Sequence, residues 1–284
     1  MKLEVLYEDE YMIAVTKPPG VPSQGDRSND VDMVTRVRDY LFDKGDIDTE
    51  PYVAVLNRLD RPVGGIMLFA KSEDMAAKLT DMIQMKDETD EPSGSEAGDS
   101  KFSGSEAGDR ESVDGHVTSE NGDGHVTGEN GDRHEIRGIR KYYQAILSGY
   151  LEEEEGTYTD WLFFDKKNNI SKVVKEGTPG AKKAVLKYEL IDEFETDKGY
   201  LTYVLIRLIT GRHHQIRCQM AAHGTPIVGD VRYAAPGAAR KASPREIALF
   251  SSRMEFVHPV TGERIVLRRE PDTKAFEAIE LDEF

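Results

Sequence analysis

Asp60 is the residue on which chemistry could turn. It lies in the run Asn57-Arg58-Leu59-Asp60-Arg61-Pro62, a carboxylate flanked by two guanidiniums, with Gly64-Gly65 just after. Pro62 fixes φ, and the two glycines permit backbone shapes that other residues resist. Two apolar runs bracket the loop, Tyr52–Leu56 and Ile66–Ala70, each read as a short buried strand. Asp60 is thus expected on a loop held firmly at both ends. A carboxylate so held can attack an electrophilic carbon, stabilise positive charge or move a proton. A surface aspartate in an arginine salt bridge, followed by a turn, accounts for the same residues, and on these residues alone it is the weightier reading.

Metal ligation is the rival chemistry. His213, His214, His223 and Asp230 are ligand types that fall close together. On a helix, however, positions 213 and 214 point about 100° apart, and the chain has no His-Glu-x-x-His spacing. A metal-dependent hydrolase is therefore the lesser enzyme reading, and no metal or other cofactor is expected. His116, His125 and His134 recur every nine residues among acids, for which sequence duplication is a simpler account than weak metal binding.

The 284 residues leave room for one large domain or two ordinary ones. A formal charge of −16 argues against a generic nucleic-acid binder. Residues 87–135 weaken that argument: they hold fifteen Asp/Glu against three Lys/Arg, a net of −12, and leave the remainder at −4. A nearly balanced domain can still carry a basic face. The same stretch repeats Ser-Gly-Ser-Glu-Ala-Gly-Asp at 93–99 and 103–109 and Asp-Gly-His-Val-Thr-x-Glu-Asn-Gly at 114–122 and 123–131. It is read as a disordered acidic insert. Cys218 is the sole cysteine, so no internal disulfide can form, which fits a reducing cytoplasm. The acidic N-terminus is no secretory signal, and no stretch nears the roughly 18–20 apolar residues of a membrane span.

The elements that must position Asp60 follow from periodicity. Strands are expected at Leu3–Tyr7, Met12–Val15, Tyr143–Tyr150, Thr157–Phe164, Ala184–Ile191, Leu201–Leu208, Ile247–Val257 and Arg264–Leu267, besides the two that flank the loop. Apolar spacing predicts helices over Asp30–Leu41, Asp74–Met85 and Arg212–His223, with Asn29 or Asp30 capping the first, and Asp272 capping a short terminal helix. Lys166–Lys175 reads as a basic loop or hairpin, and Cys218 as a buried structural thiol. Strands outnumber helices and mostly follow one another directly. The expected fold class is therefore α+β, on a mixed, largely antiparallel sheet.

Three motifs carry a resemblance. Asn57-Arg58-Leu59-Asp60-Arg61-Pro62-Val63-Gly64-Gly65-Ile66-Met67-Leu68-Phe69-Ala70-Lys71 resembles the Arg-Leu-Asp motif of the RluA-type pseudouridine synthases. Gly211-Arg212-His213-His214-Gln215-Ile216-Arg217 resembles that family's Gly-Arg-x-His-Gln-Ile-Arg motif, and Lys141-Tyr142-Tyr143-Gln144-Ala145 its Lys-x-Tyr-x-Ala motif. Ala222-His223-Gly224-Thr225-Pro226-Ile227-Val228-Gly229-Asp230 and the early Lys17-Pro18-Pro19-Gly20 are similar to further family elements. The last begins too early for the N-terminal S4 domain that many members carry.

The resemblance implies one catalytic domain, 1–86 joined to 136–284 and interrupted by the insert, with its active site in a cleft. It implies an isomerase, an RNA pseudouridine synthase acting on structured ribosomal or transfer RNA as a cytoplasmic monomer. Asp60 would be the catalytic carboxylate, Arg217 its cationic partner and Tyr143 the active-site tyrosine. Arg58 would fill the space left by an unstacked uridine or touch phosphate. Arg61, Lys71, Arg140, Lys141 and Arg212 are further candidates for RNA contact. A non-catalytic RNA-binding protein is the alternative from another class. Asn57, Val63-Gly64, His213 and Phe250-Ser251 depart from the family's usual residues, and all four bear on the shape of the pocket.

Overall fold

Alternating buried side chains build the frame around the loop. The computed structural model describes residues 2–26, 28–45, 49–85, 136–196, 199–233 and 246–277; the insert expected at 87–135 lies outside them. Strand β1 (Glu4–Glu8) pairs with β2 (Met12–Lys17), and β2 pairs antiparallel with β4 (Gly64–Ala70). Ile13, Val15, Met67 and Phe69 pack with Met33 and Val37 of α1 (Met33–Lys44). Met12, Ala14, Ile66 and Leu68, one residue out of phase, pack with Met75 and Leu79 of α2 (Glu73–Gln84). Two faces with two covers follow from the period of two in a strand. Each large side chain fully buried this way contributes roughly 1.5–3 kcal/mol over exposure.

The remaining strands are β3 (Ala54–Val55), β5 (Arg140–Ser148), β6 (Glu155–Asp165), β7 (Ile170–Val174), β8 (Lys182–Thr196), β9 (Gly199–Leu208), β10 (Leu249–Val257) and β11 (Arg264–Arg268). All described strands join one sheet of order β1-β2-β4-β10-β5-β9-β8-β6-β7, with β3 beside β4 and β11 beside β10. Every described pairing is antiparallel except β4 with β10, where Phe250 lies opposite Gly64 and Ser251 opposite Gly65. The expected α+β class and mostly antiparallel sheet are what the chain adopts. Among the described residues no helix is long and apolar enough to cross a membrane.

The glycine pair makes the one parallel contact possible. Gly65 has φ +115, and a Cβ there would strike the Ser251 backbone. A Cβ on Gly64 would lie 2.8 Å from the Phe250 ring.

Several boundaries differ from expectation, each for a local reason. Helix α1 starts at Met33 because Asp32 is its cap, accepting from the Thr35 amide at 2.9 Å, whereas Asn29 sits at φ 58, outside the helix. Ser72 caps α2 one residue earlier than expected, accepting from the Met75 amide. The Tyr52–Leu56 strand shrinks to two residues, half-buried. Asp272 starts a turn instead of a helix, its carboxylate bonded to Arg269. Helix α3 covers only Gln215–Ala222, so His213 and His214 precede it.

Candidate active site

Backbone anchors hold the Asp60 loop from three sides. Lys17 ends β2 with its side chain fully buried, and its ammonium donates to the carbonyls of Pro18, Arg61 and Val63 at 3.1, 3.1 and 2.7 Å. Burial pulls this lysine down to about 7, against the raising effect of Asp60. Ser23 Oγ donates to the Leu59 carbonyl at 2.6 Å and accepts from the Leu59 amide at 3.0 Å. Asn57 spans to β4, donating to the Ile66 carbonyl and accepting from the Leu68 amide. The Val63 amide closes the turn on the Asp60 carbonyl at 3.0 Å.

Asp60 emerges with its side chain 28% exposed, and its partner is Arg217. Arg217 Nη1 donates to Asp60 Oδ2 at 2.9 Å. The rest of that guanidinium faces Asp230, with Nε donating to Oδ2 at 2.6 Å and Nη2 to Oδ1 at 2.8 Å. Arg217 is 5% exposed and Asp230 1%. Burial opposes the arginine's charge, but the bonds and charges of Asp230 and Asp60 outweigh it and hold the guanidinium above its usual range. Such a fork-to-fork pair fixes direction as well as distance.

Tyr143 reaches the site from β5, next to Ser251 in the register with β10. It is buried, and burial together with the Asp60 charge pushes its phenol above the usual range. The hydroxyl therefore keeps its proton at neutral pH.

A second group approaches Asp60 from the start of α3. His214 stands at φ 51, and its Nε2 lies 3.4 Å from Asp60 Oδ2. Gln215 shapes this entry. Its Oε1 accepts from Thr210 Oγ1 and the Arg212 amide, and its Nε2 donates to the Val185 carbonyl. Tyr233 Oη sits 2.9 Å from His214 Nδ1 and accepts from the Ser171 amide at 2.9 Å. Nε2 faces the Asp60 carboxylate, which only accepts, so the tautomer that serves both contacts has its N–H at Nε2 and its Nδ1 accepting from the Tyr233 hydroxyl. Burial pushes His214 down to about 4 in spite of Asp60, so the ring is neutral. His213 stacks on His214 at 3.8 Å between ring centres and on Phe164 at 3.9 Å.

The structure thus brings Asp60, Arg217 and Tyr143 together. It does not gather all the RNA-contact candidates. Arg61, next to Asp60 in sequence, turns away: Nε donates to the Gly20 carbonyl, Nη1 lies 3.5 Å from Asp26, and Nη2 pairs with Asp30. Lys71 is committed to Glu8 and the Asp9 carbonyl. Arg140 opens β5 opposite Glu255, and burial lowers Lys141 from its ordinary value. Arg212 donates through Nε to the Lys183 carbonyl. Arg58 is exposed, and its charge is felt at His213. The residues set aside as metal ligands have other work: Asp230 holds Arg217, and His223 lies 3.1 Å from Asp160. Among the described residues no cluster of three or more His, Cys, Asp or Glu could hold a metal ion.

Sequence reasoning missed Lys17, Ser23, Tyr233 and the roles of His214 and Asp230. Lysine is rarely fully buried, so nothing in the pattern marked Lys17 beyond its place at the end of an apolar run. Asp230 was visible in its motif but without a partner.

A rigidly held carboxylate with a buried arginine behind it and a protonated tyrosine beside it is an arrangement that can serve catalysis. The chain belongs to the RNA pseudouridylate synthase family, isomerases that act on RNA, whose sequence model matches residues 11–91 and 130–222. It is similar to the tRNA pseudouridine synthase C of Vibrio vulnificus, 29% identical over 286 residues that cover 95% of this chain and 91% of that one. It is also similar to the dual-specificity RNA pseudouridine synthase RluA of Pasteurella multocida, 36% identical over 129 residues, 45% of this chain and 55% of that one. Among solved structures, human RNA pseudouridylate synthase domain containing 4 shares the fold with a TM-score of 0.65 at 16% identity, covering 98% of this chain and 92% of that one.

Proposed function

We propose that this RNA pseudouridine synthase modifies transfer RNA, with Asp60 as its catalytic carboxylate. The reaction is an isomerisation. The N1–C1′ bond of uridine breaks, the base turns, C5 bonds to C1′, and the proton lost from C5 is balanced by one gained at N1. Asp60 Oδ2 is engaged by Arg217, which leaves Oδ1 as the oxygen to approach C1′. Arg217 fixes the carboxylate, and Asp230 fixes Arg217. Tyr143 stacks on the base and relays the C5 proton, its oxygen taking that proton as its own hydroxyl hydrogen passes to water. Arg58, exposed beside Asp60, takes the space of the unstacked nucleotide.

The observation that carries these roles is the 2.9 Å contact from Arg217 to Asp60 beside Tyr143. Transfer RNA is favoured because relatives aligned over nearly the whole chain bear that name, whereas the dual-specificity relative aligns over less than half. Residues on both sides of the insert contribute to one sheet, which supports a single catalytic domain. The enzyme acts as a monomer in the cytoplasm, in keeping with its lone buried Cys218.

Pseudouridine mapping of transfer and ribosomal RNA tests this. Cells lacking the protein should lose one or a few transfer-RNA sites, regained with the wild-type chain and not with Asp60→Ala. Loss confined to ribosomal RNA would overturn the target, and regain with Asp60→Ala would overturn the role of the carboxylate.

A further inference from the structure

Charge is distributed along the far half of the sheet as two opposite poles. Strands β6 and β8 run antiparallel, with Leu162 opposite Lys182 at one end and Glu155 opposite Glu189 at the other. Six exposed lysines gather at the first end, Lys166, Lys167, Lys172, Lys175, Lys182 and Lys183, with Glu176 the sole acid in residues 166–183. The second end carries Glu152–Glu155, Glu189, Asp192, Glu193 and Glu195, all exposed, with no Lys or Arg in residues 152–155 or 189–195. The two pairs lie seven residues apart along β6, which separates the ends by roughly 23 Å. That is nearly three times the screening length of about 8 Å at physiological salt. Each pole therefore presents its own sign to a ligand, although the whole chain carries −16.

The basic pole is joined to the catalytic loop through direct contacts. Phe164, near the end of β6, stacks on His213, which stacks on His214, whose Nε2 is 3.4 Å from Asp60. Ser171 Oγ donates to the His213 carbonyl at 2.5 Å, and Arg232 Nη1 donates to the Asn169 carbonyl at 2.7 Å. The hairpin that carries the lysines is thus fixed to the residues that flank Asp60. Beside Lys172 on the neighbouring strand stands Phe163, an exposed ring at 37%.

We infer that the lysine-rich end of β6, β7 and β8 docks the sugar–phosphate backbone of the RNA flanking the target uridine, and that the acidic end turns the backbone away. The RNA therefore leaves the active site over the β6–β7 hairpin and does not run along the strands. This rests on the proposed function, in that the docked polyanion is the substrate of the Asp60 site.

The test uses the full chain, an unfractionated transfer-RNA pool as probe, and binding measured across a salt series alongside turnover. Reversing Lys166 and Lys167 together to Glu, or Lys182 and Lys183 together to Glu, should raise Kd and KM on the order of tenfold. It should also flatten the slope of log K against log salt by about 2, one unit per lost phosphate contact. The split matters: KM rises while kcat at saturation stays within about twofold. Glu153→Lys with Glu154→Lys at the other end should leave KM and the salt slope as in wild type. A wild-type slope in both lysine variants overturns the docking surface. So does a slope that steepens in the Glu153/Glu154 variant, because the RNA would then cover both ends. Asp60→Ala separates this from the enzyme reading: it should abolish turnover with the slope unchanged. If wild type itself modifies no RNA, the function fails while the slopes still report on docking.

Discussion

Arg217 and Asp230 form a buried, two-bond ion pair whose outer edge is the hydrogen bond that holds Asp60. On the proposed roles, stability and reactivity are coupled there. Asp230→Ala leaves a buried guanidinium with only Asp60 to satisfy it, and breaking such a pair costs about 3–5 kcal/mol. The expected result is a lower urea midpoint together with reduced turnover. A variant as stable as wild type would show that the pair is not needed to offset the buried charge.

Asp60 is the contrasting case. Its side chain is 28% exposed and the loop backbone is anchored independently by Lys17, Ser23 and Asn57. Asp60→Ala should therefore eliminate pseudouridine formation, by at least a thousandfold, on the order of the loss from removing a reacting group. The melting temperature should move little. Equal losses of stability and activity would mean that Asp60 is structural.

Tyr143→Phe keeps the ring against Ser251 and β9 but removes the hydroxyl. Turnover should fall roughly a hundredfold or more, the scale of one positioned proton-transfer group, with RNA affinity unchanged. Turnover and affinity both as in wild type would assign Tyr143 to base stacking alone, since the ring is kept.

The histidine pair sets a pH dependence. Burial lowers His214 from 6.5 to about 4, and lowers His213 as well. The unfolded chain then binds protons that the folded chain refuses, so stability rises with pH across this window. The contribution is complete above about 6.5 and is lost as pH falls toward 4. His214→Asn should flatten the fall of the urea midpoint between those pH values, and parallel profiles would rule out this origin.

Gly65→Ala tests the seam between β4 and β10. The new methyl meets the Ser251 backbone at a φ of +115, where only glycine is at ease. Strain of about 1–3 kcal/mol, plus a displaced strand, should lower the melting temperature and detach Tyr143 from Asp60. Gly177→Ala, also at positive φ but with open space around it, is the control for backbone strain alone.

Much of this was legible in the residues. Asp60, Tyr143 and Arg217 stood in motifs, and period-two runs marked most strands with their faces. What escaped was partnership at a distance. The guanidinium opposite Asp60 comes from α3, whereas Arg61, adjacent in sequence, is drawn off by Asp26 and Asp30. The end of α3 escaped because Gln215 uses its side chain to satisfy Thr210 and the Arg212 amide, which fixes a left-handed His214 where apolar spacing alone predicts helix. The two-residue β3 shows the limit of composition. Its apolar run is pinned by the Asn57 side chain and the Leu56 amide, which bonds to Leu68.

The place of β10 in the sheet has a consequence for synthesis. It lies between β4 and β5, yet it follows both by more than a hundred residues. Until the ribosome has released Leu249–Val257, β4 and β5 each present an open edge, and Ser251 is absent from its place beside Gly65 and Tyr143. Nascent chains would hold two unpaired borders for several seconds or longer at ordinary elongation rates. Catalytic competence must then arrive late, with the strand that zips the two halves together.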